Sequence, residues 1–238
     1  MTKPAVDEIE VQRAYYAMTA REYDKMHVSS YDEHGIALAY MISVIEFLAI
    51  ESILDIGSGT GRALKAIKDK IPRVRIVGVE PSRELREVGY SDGIAESDLV
   101  DGDAMNLQFA DGSFDMVCEY AALHHIPKPQ LAVSEMLRVS NRAIFLSDCN
   151  NFGQGNKISR CVKQFVNAVG LWPIADYIKT KGKGYTISEG DGLAYSYSVF
   201  NDYARIKSAC KSVHFLNTVD SGPNLYGSAS HVALLGIK

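Results

Sequence analysis

Ser52-Ile53-Leu54-Asp55-Ile56-Gly57-Ser58-Gly59-Thr60-Gly61-Arg62 is the stretch that decides the fold. A β-branched, apolar run reads as a strand ending in an acid. A turn with glycine at positions 57, 59 and 61 follows, and Ala63-Leu64-Lys65-Ala66-Ile67 reads as the start of a helix. Glycine accepts positive φ and carries no Cβ, so the turn lets a ligand approach the backbone at the carboxyl end of the strand. Asp55 stands where strand hands over to turn. A carboxylate there suits an amine or hydroxyl on the ligand and opposes a phosphate.

Spacing sorts the possible ligands. A dinucleotide fold needs G-x-G-x-x-G, but here Arg62 stands where the last glycine would fall; the Gly-Lys-Ser/Thr of a phosphate loop is also missing. Outward from the turn, Val74-Arg75-Ile76-Val77-Gly78-Val79-Glu80 reads as a second buried strand ending in an acid. Glu80 lies about two dozen residues on, where a doubly wound fold uses a carboxylate to accept both ribose hydroxyls. Pro81 stops that strand, and Ser82 is the expected cap of the helix beginning Arg83-Glu84.

Asp55-Ile56-Gly57-Ser58-Gly59-Thr60-Gly61 resembles the first motif of the class I S-adenosylmethionine-dependent methyltransferases. The resemblance implies an α/β fold with a doubly wound, mostly parallel seven-stranded sheet closed by a C-terminal antiparallel hairpin. It implies S-adenosylmethionine as cofactor, bordered by Asp55, Gly57, Ser58, Gly59 and Gly61, with Glu80, Pro81 and Ser82 beside the sugar. Leu99-Val100-Asp101-Gly102-Asp103-Ala104-Met105-Asn106-Leu107 resembles the third cofactor motif. By it, Asp103 accepts from the adenine amino group and Ala104 and Met105 line the ring.

Tyr16-Ala17-Met18-Thr19-Ala20-Arg21-Glu22-Tyr23-Asp24 is similar to the A-x-x-Y-D segment of the small-molecule and quinone-type branch, which folds over the bound cofactor. That assigns Tyr23 to the cofactor and Tyr15 to the acceptor pocket, although the same tyrosines also suit plain packing on the sheet. Strand four, Met116-Val117-Cys118-Glu119, leads into Tyr120-Ala121-Ala122-Leu123-His124-His125-Ile126-Pro127 beside the sulfonium methyl, with Glu119 on the cofactor side and Tyr120 on the acceptor side. Many small-molecule members carry L-H-H there and a helix ending E-x-x-R-V, as Glu135-Met136-Leu137-Arg138-Val139 does. His124 and His125 are the catalytic candidates. One imidazole would point inward and take a proton from the acceptor at neutral pH, and the other would bond to backbone.

Ala143 to Asp148 reads as strand five, and Cys149-Asn150-Asn151-Phe152-Gly153-Gln154 follows at the crevice mouth, where Asn150 and Asn151 are expected to grip the acceptor. Glu119, Asp148 and Asn150 also raise a divalent site of the catechol-methyltransferase kind. That family pattern wants Asp and Asn adjacent, and Cys149 intervenes, so no metal is expected. Ile158 to Gly170 reads as an amphipathic helix with Val162, Phe165, Val166 and Val169 on one face. Tyr185 and Tyr195 belong to a region that suits either a substrate cover or an edge hairpin. Asn201 to Lys211 reads as a helix. Val213–Thr218 and Ala229–Ile237 read as a closing hairpin turning at Ser221-Gly222-Pro223-Asn224.

The whole chain bounds the rest. Its 238 residues suit a single domain: a helical cap over 1–50, a cofactor core over 51–148, a substrate-covering insertion over 150–212 and the hairpin over 213–238. A formal charge of -4 gives no footprint for nucleic acid. Neither a signal peptide nor a membrane span is legible, which points to the cytoplasm and away from membranes. Cys118, Cys149, Cys161 and Cys210 are too scattered for a zinc site or a disulfide framework. The expected activity is methyl transfer to a hydroxyl or amine of a small molecule. The alternatives are an NAD-dependent oxidoreductase and a non-catalytic S-adenosylmethionine-binding module.

Overall fold

The structure is a computed structural model and describes residues 8–20, 32–188 and 192–238. Strands β1 (Ser52–Ile56), β2 (Arg75–Val79), β3 (Leu99–Val100), β4 (Phe114–Tyr120) and β5 (Ser140–Cys149) pair in parallel. The last two strands, β8 (Ser212–Asn217) and β9 (His231–Ile237), join antiparallel and complete a seven-stranded sheet of order β3-β2-β1-β4-β5-β9-β8. A separate hairpin, β6 (Tyr185–Ser188) with β7 (Gly192–Tyr195), lies outside it. This is the doubly wound sheet with a terminal antiparallel pair that the resemblance implies.

Parallel strands are covered on both faces, so their residues alternate between two cores. Ile53, Met116 and Phe145 face the layer built from α2 (Glu33–Ile45) and α3 (Arg62–Lys70), through Met41, Ile45, Leu64 and Ile67. Leu54, Val117 and Ile144 face the opposite layer, with Met136 of α5 (Pro129–Val139) and Ile206 of α8 (Tyr203–Ala209). Helix α4 (Arg83–Ser91) follows β2 and is capped by Ser82, whose Oγ accepts from Leu85 N at 3.4 Å. Strand order reverses between β1 and β4, which opens a crevice at their carboxyl ends.

Several boundaries differ from the sequence reading. Within the helical cap, which the sequence places over 1–50, α1 runs Glu8–Thr19 and α2 stops at Ile45 in a turn that carries Ala49 at φ 48°. The closing strands are joined through a short helix, α9 (Leu225–Ser228), not a simple turn. The 201–211 helix is α8, preceded by a 3₁₀ turn at Val199–Asp202. Two further helices, α6 (Lys157–Ala168) and α7 (Trp172–Lys179), fill the segment after β5. The amphipathic reading of α6 holds for its pattern, but its apolar side faces outward and not onto the sheet.

The loop after β5 is locked to α9. Asn150 Nδ2 donates to the carbonyls of Leu225, Tyr226 and Ala229 at 2.9–3.2 Å, and its Oδ1 accepts from Phe152 N and Ser198 Oγ. Gly153 sits so close that a Cβ there would lie 1.9 Å from the Ala229 carbonyl oxygen. Backbone cannot yield as a flexible side chain does. Gly153→Ala is therefore expected to cost about 2–3 kcal/mol, a fall in Tm of roughly 5–10 °C on thermal unfolding. An unchanged Tm would show that the two loops are not held this tightly.

Candidate active site

The glycine turn is pinned at the carboxyl end of β1 by its neighbour strand. Gly57 N and Ser58 N both donate to the Val79 carbonyl, at 2.8 and 3.1 Å, and Ser58 Oγ donates back to Asp55 O at 2.8 Å. Gly57 has φ 66°, and a Cβ on it would meet Ala122 Cβ at 2.4 Å, so only glycine fits between this turn and the loop after β4. Glu80, buried at the end of β2, accepts from Gly59 N at 3.0 Å and Ser82 N at 2.7 Å. One carboxylate thus braces the turn against the start of the β2–α4 connection.

Two cavities meet over this turn. The smaller, about 300 Å³, is lined by Val79, Glu80, Pro81, Ser82, Asp103, Ala104 and Met105, together with Asp101, Leu85 and Ile126. Among the described residues, its lining includes no lysine or arginine. The larger, about 570 Å³, is lined by Asp55, Ser58, His124, Asn151, Thr186 and Ser188, with His34 and His231. Gly57, Gly59, Tyr120, Ala121, His125, Tyr195 and Tyr16 line both.

The acids at the turn are perturbed by burial. Desolvation pushes Asp55 up to about 7 against the Ser58 and Cys118 hydrogen bonds, with Glu80 adding repulsion. Burial likewise pushes Glu80 up to about 7, opposed by its bonds from Ser82 and Gly59. Between about pH 4 and 7 the folded protein therefore keeps protons that the unfolded chain has lost, and stability falls as pH rises through that window. His34 is shifted the other way, lowered by burial and by His231, and removes stability as pH falls. Comparison with Asp55→Asn separates the two effects. The change in unfolding free energy of the ligand-free protein from pH 5.5 to 7.5 should differ by about 2 kcal/mol between wild type and variant. Parallel stability profiles would remove the buried ionisation from Asp55.

The loop after β4 carries the histidines on a 3₁₀ turn, Leu123–His125. His124 Nδ1 lies 2.6 Å from Asp148 Oδ1, and Oδ2 of the same carboxylate accepts from Leu123 N at 2.8 Å and His124 N at 3.3 Å. Burial alone would raise Asp148, but the His124 charge and hydrogen bond, with the Cys149 amide, hold it below the usual carboxylate range. An ionised Asp148 makes His124 Nδ1 the donor, so Nε2 is the basic nitrogen of the neutral ring. His125 Nδ1 lies 2.6 Å from the Leu193 carbonyl, the backbone bond expected of one of the pair. The expectation that only one ring points inward is corrected: the rings sit 4.0 Å apart by centroid and both line the larger cavity.

The fold brings together Asp55, Gly57, Ser58, Gly59, Glu80, Pro81, Ser82, Asp103, Ala104, Met105, Tyr15, Tyr120, Asn151, Tyr195 and both histidines. It does not bring in Gly61, which lines neither cavity and turns the chain into α3. Glu119 is fully buried behind the site, where its oxygens accept from Ala122 N at 3.1 Å and Ser147 N at 3.0 Å. Asn150 is buried in the α9 contact described above, and Tyr185 is buried beside Tyr195 without lining either cavity. All three members of the Glu119–Asp148–Asn150 trio therefore spend their oxygens on local hydrogen bonds. Tyr23 lies outside the described residues.

Beside this geometry stands a match in sequence. Residues 54–143 match the family described as "Methyltransferase domain". The chain carries a methyltransferase domain. The chain is 29% identical over 124 residues to the demethylmenaquinone methyltransferase of Staphylococcus epidermidis, covering 50% of this chain and 52% of that one. To an uncharacterized methyltransferase of Bacillus subtilis, YcgJ, it is 36% identical over 110 residues, 44% of this chain and 42% of that one. The chain spans about half the length of the curated relatives it matches. Among solved structures, it resembles magnesium protoporphyrin IX methyltransferase of Synechocystis with bound S-adenosylhomocysteine. The TM-score is 0.62 at 13% identity over 98% of this chain and 100% of that one, a likeness of fold.

Other residues of the site gave little signal in the sequence. Gln12 accepts from Leu193 N at 2.6 Å through Oε1 and so ties α1 to the β6–β7 hairpin. Arg62 pairs with Asp32, the cap of α2, through two contacts of 2.9 Å and joins the cavity wall. His34 and His231 arrive from α2 and β9, nearly two hundred residues apart in the chain, and sit edge to face with centroids 5.5 Å apart. Asp148 was legible as a strand-end acid but not as the partner of His124.

Proposed function

We propose that this protein binds S-adenosylmethionine across the glycine turn and transfers its methyl group to a hydroxyl or amine of a small molecule. The observation that carries this reading is the pair of cavities meeting at Gly57 and Gly59, one acid-lined with no lysine or arginine among the described residues, the other polar and lined by both histidines. The donor set fits the cofactor: Asp55 for its ammonium, Glu80 for ribose hydroxyls and Asp103 for the adenine amine. A dinucleotide's pyrophosphate would meet Glu80, Asp101 and Asp103 with no lysine or arginine among the smaller cavity's lining.

Bound S-adenosylmethionine supplies an electrophilic methyl on a sulfonium. The protein's part is to hold the acceptor in line and exclude water. Residues 150–212 are the acceptor's cover, with β6–β7 laid over the larger cavity through Thr186, Ser188, Ala194 and Tyr195. Asn151 lines that cavity, and its buried Nδ2 has no hydrogen-bond partner among the described residues, which leaves it a donor for an acceptor oxygen if the side chain turns inward. His124 Nε2 takes the proton from a hydroxyl acceptor; for an amine delivered neutral, the ring only positions it. The curated relatives named for demethylmenaquinone favour an aromatic hydroxylated acceptor as the first to try.

The test is calorimetric titration with S-adenosylhomocysteine and with NAD, followed by turnover of methyl-labelled S-adenosylmethionine against a metabolite extract. Micromolar binding of the first compound alone, with label entering a small molecule, is expected. Binding of NAD alone would sink the cofactor reading, and cofactor binding with no label transfer would leave a binding module.

A further inference from the structure

Helix α6 is inside out. Its polar residues Arg160, Lys163, Gln164 and Asn167, spaced to share one side, face the protein. Arg160 donates to Ser228 O at 3.0 Å, Lys163 Nζ to Gln154 O at 2.9 Å and to Asn151 O, Gln164 to Phe152 O and Gly227 O at 3.0 and 3.1 Å, and Asn167 to the Tyr226 hydroxyl at 2.9 Å. The opposite side carries Ile158, Val162, Phe165 and Val169, all exposed, with Ile158 at 77% and Phe165 at 69%. The chain continues through Leu171 into α7, whose Ile174, Tyr177 and Ile178 are exposed as well, and the two helices pack on each other. An ordinary surface helix turns its apolar stripe to the core. This pair turns it away, and a contiguous apolar surface of that kind marks a contact with something outside.

Charge identifies the occupant. Residues 150–188 carry six basic side chains against one acid, Asp176, in a chain whose formal charge is -4; Arg160 and Lys163 turn inward, which leaves four lysines on the outside. Lys157, Lys179, Lys181 and Lys183, on these helices or just after them in the chain, are all exposed, with Lys179 Nζ donating to Ser196 Oγ at 2.9 Å. A second copy would set one lysine-rimmed face against another, because a two-fold interface pairs a patch with itself. Nucleic acid does not fit a face built chiefly of aliphatic side chains. Apolar residues on one side and lysines around them are the pattern of helices that lie in the headgroup region of an anionic bilayer. No described helix is long and apolar enough to cross a membrane, so the contact is with one surface.

We propose that the outward face of α6 and α7 seats the protein on an anionic lipid bilayer. Lys179 of α7 and Gln154, beside α6, line the larger cavity, so its wall adjoins the seated face and an acceptor carried by the bilayer is within reach. The test is co-sedimentation of the full chain with phosphatidylcholine vesicles, with and without about one-third phosphatidylglycerol. Binding should appear with phosphatidylglycerol and fade in about 0.5 M salt. The double substitution Phe165→Glu and Ile178→Glu should weaken binding by roughly tenfold or more, and Lys181→Glu with Lys183→Glu should remove its dependence on phosphatidylglycerol. Phe165→Leu should retain it. Affinity for S-adenosylhomocysteine, measured in parallel, reports the fold and separates failure here from failure of the cofactor reading. Wild-type protein that ignores both vesicle types overturns the proposal, as does a double variant that sediments like wild type. So does a dimer that the double variant splits while wild type ignores lipid, which would assign the face to a second copy.

Discussion

His124→Ala is expected to lower methyl transfer to a hydroxyl acceptor by about 10²–10⁴-fold, with affinity for S-adenosylhomocysteine little changed, because general-base catalysis by a positioned imidazole is worth that much. His124 lines the larger cavity and not the smaller one, so a loss confined to kcat is the signature of its role. Asp148 fixes the ring by a 2.6 Å contact and by accepting the amides on which the histidine stands. Asp148→Asn should approach the same loss, since an amide at that position no longer selects the tautomer with Nε2 as base. His125→Ala should cost less. Its Nδ1 is committed to Leu193 O, and its loss loosens the hairpin contact rather than removing the base. Equal rates for wild type and His124→Ala on a hydroxyl substrate would end the base assignment, while a full rate on an amine alone would fit a ring that only positions the acceptor.

The difference between what was legible and what was not follows distance along the chain. Asp55, the glycines and Glu80 are readable because strand, turn and helix force them to lie where they do: once β1 and β2 are parallel neighbours, their terminal acids share one edge. The terminal antiparallel pair is readable from two apolar runs near the end. The His124–Asp148 contact needs the β4–β5 register, which pairs Glu119 with Leu146, and a 3₁₀ turn folding the histidines back over β5. Neither has a local signal. Asn150 misleads for the opposite reason. An amide after a strand looks like a ligand group, but a loop passing as close as Gly153 does to α9 needs that amide to satisfy three carbonyls. The outward face of α6 escapes a pattern reading altogether, because periodicity gives the angle between polar and apolar sides and not which one meets the protein.

Glu80→Ala should weaken S-adenosylhomocysteine binding by about 100-fold or more in calorimetric titration. Two hydroxyls bonded to one carboxylate are lost, each a charge-assisted contact worth about 1.5–3 kcal/mol. The structure adds a second cost. Without the carboxylate, Gly59 N and Ser82 N lose their acceptor, and the turn that must present its backbone to the cofactor loses its tie to the start of α4. Glu80→Gln separates the two contributions, because the amide keeps one oxygen for the turn but accepts poorly from a pair of hydroxyls. An intermediate loss, roughly tenfold, is expected for it, with a melting temperature nearer wild type than that of the alanine variant. Burial holds Glu80 up at about 7, so affinity of the wild type should also rise from pH 6 to pH 8 as the carboxylate ionises, and that rise should shrink in Glu80→Gln to the part due to Asp55, which burial also holds at about 7. If a folded Glu80→Ala bound S-adenosylhomocysteine as wild type does, the sugar would have to sit elsewhere, and the order of the two cavities along the cofactor would need to be redrawn.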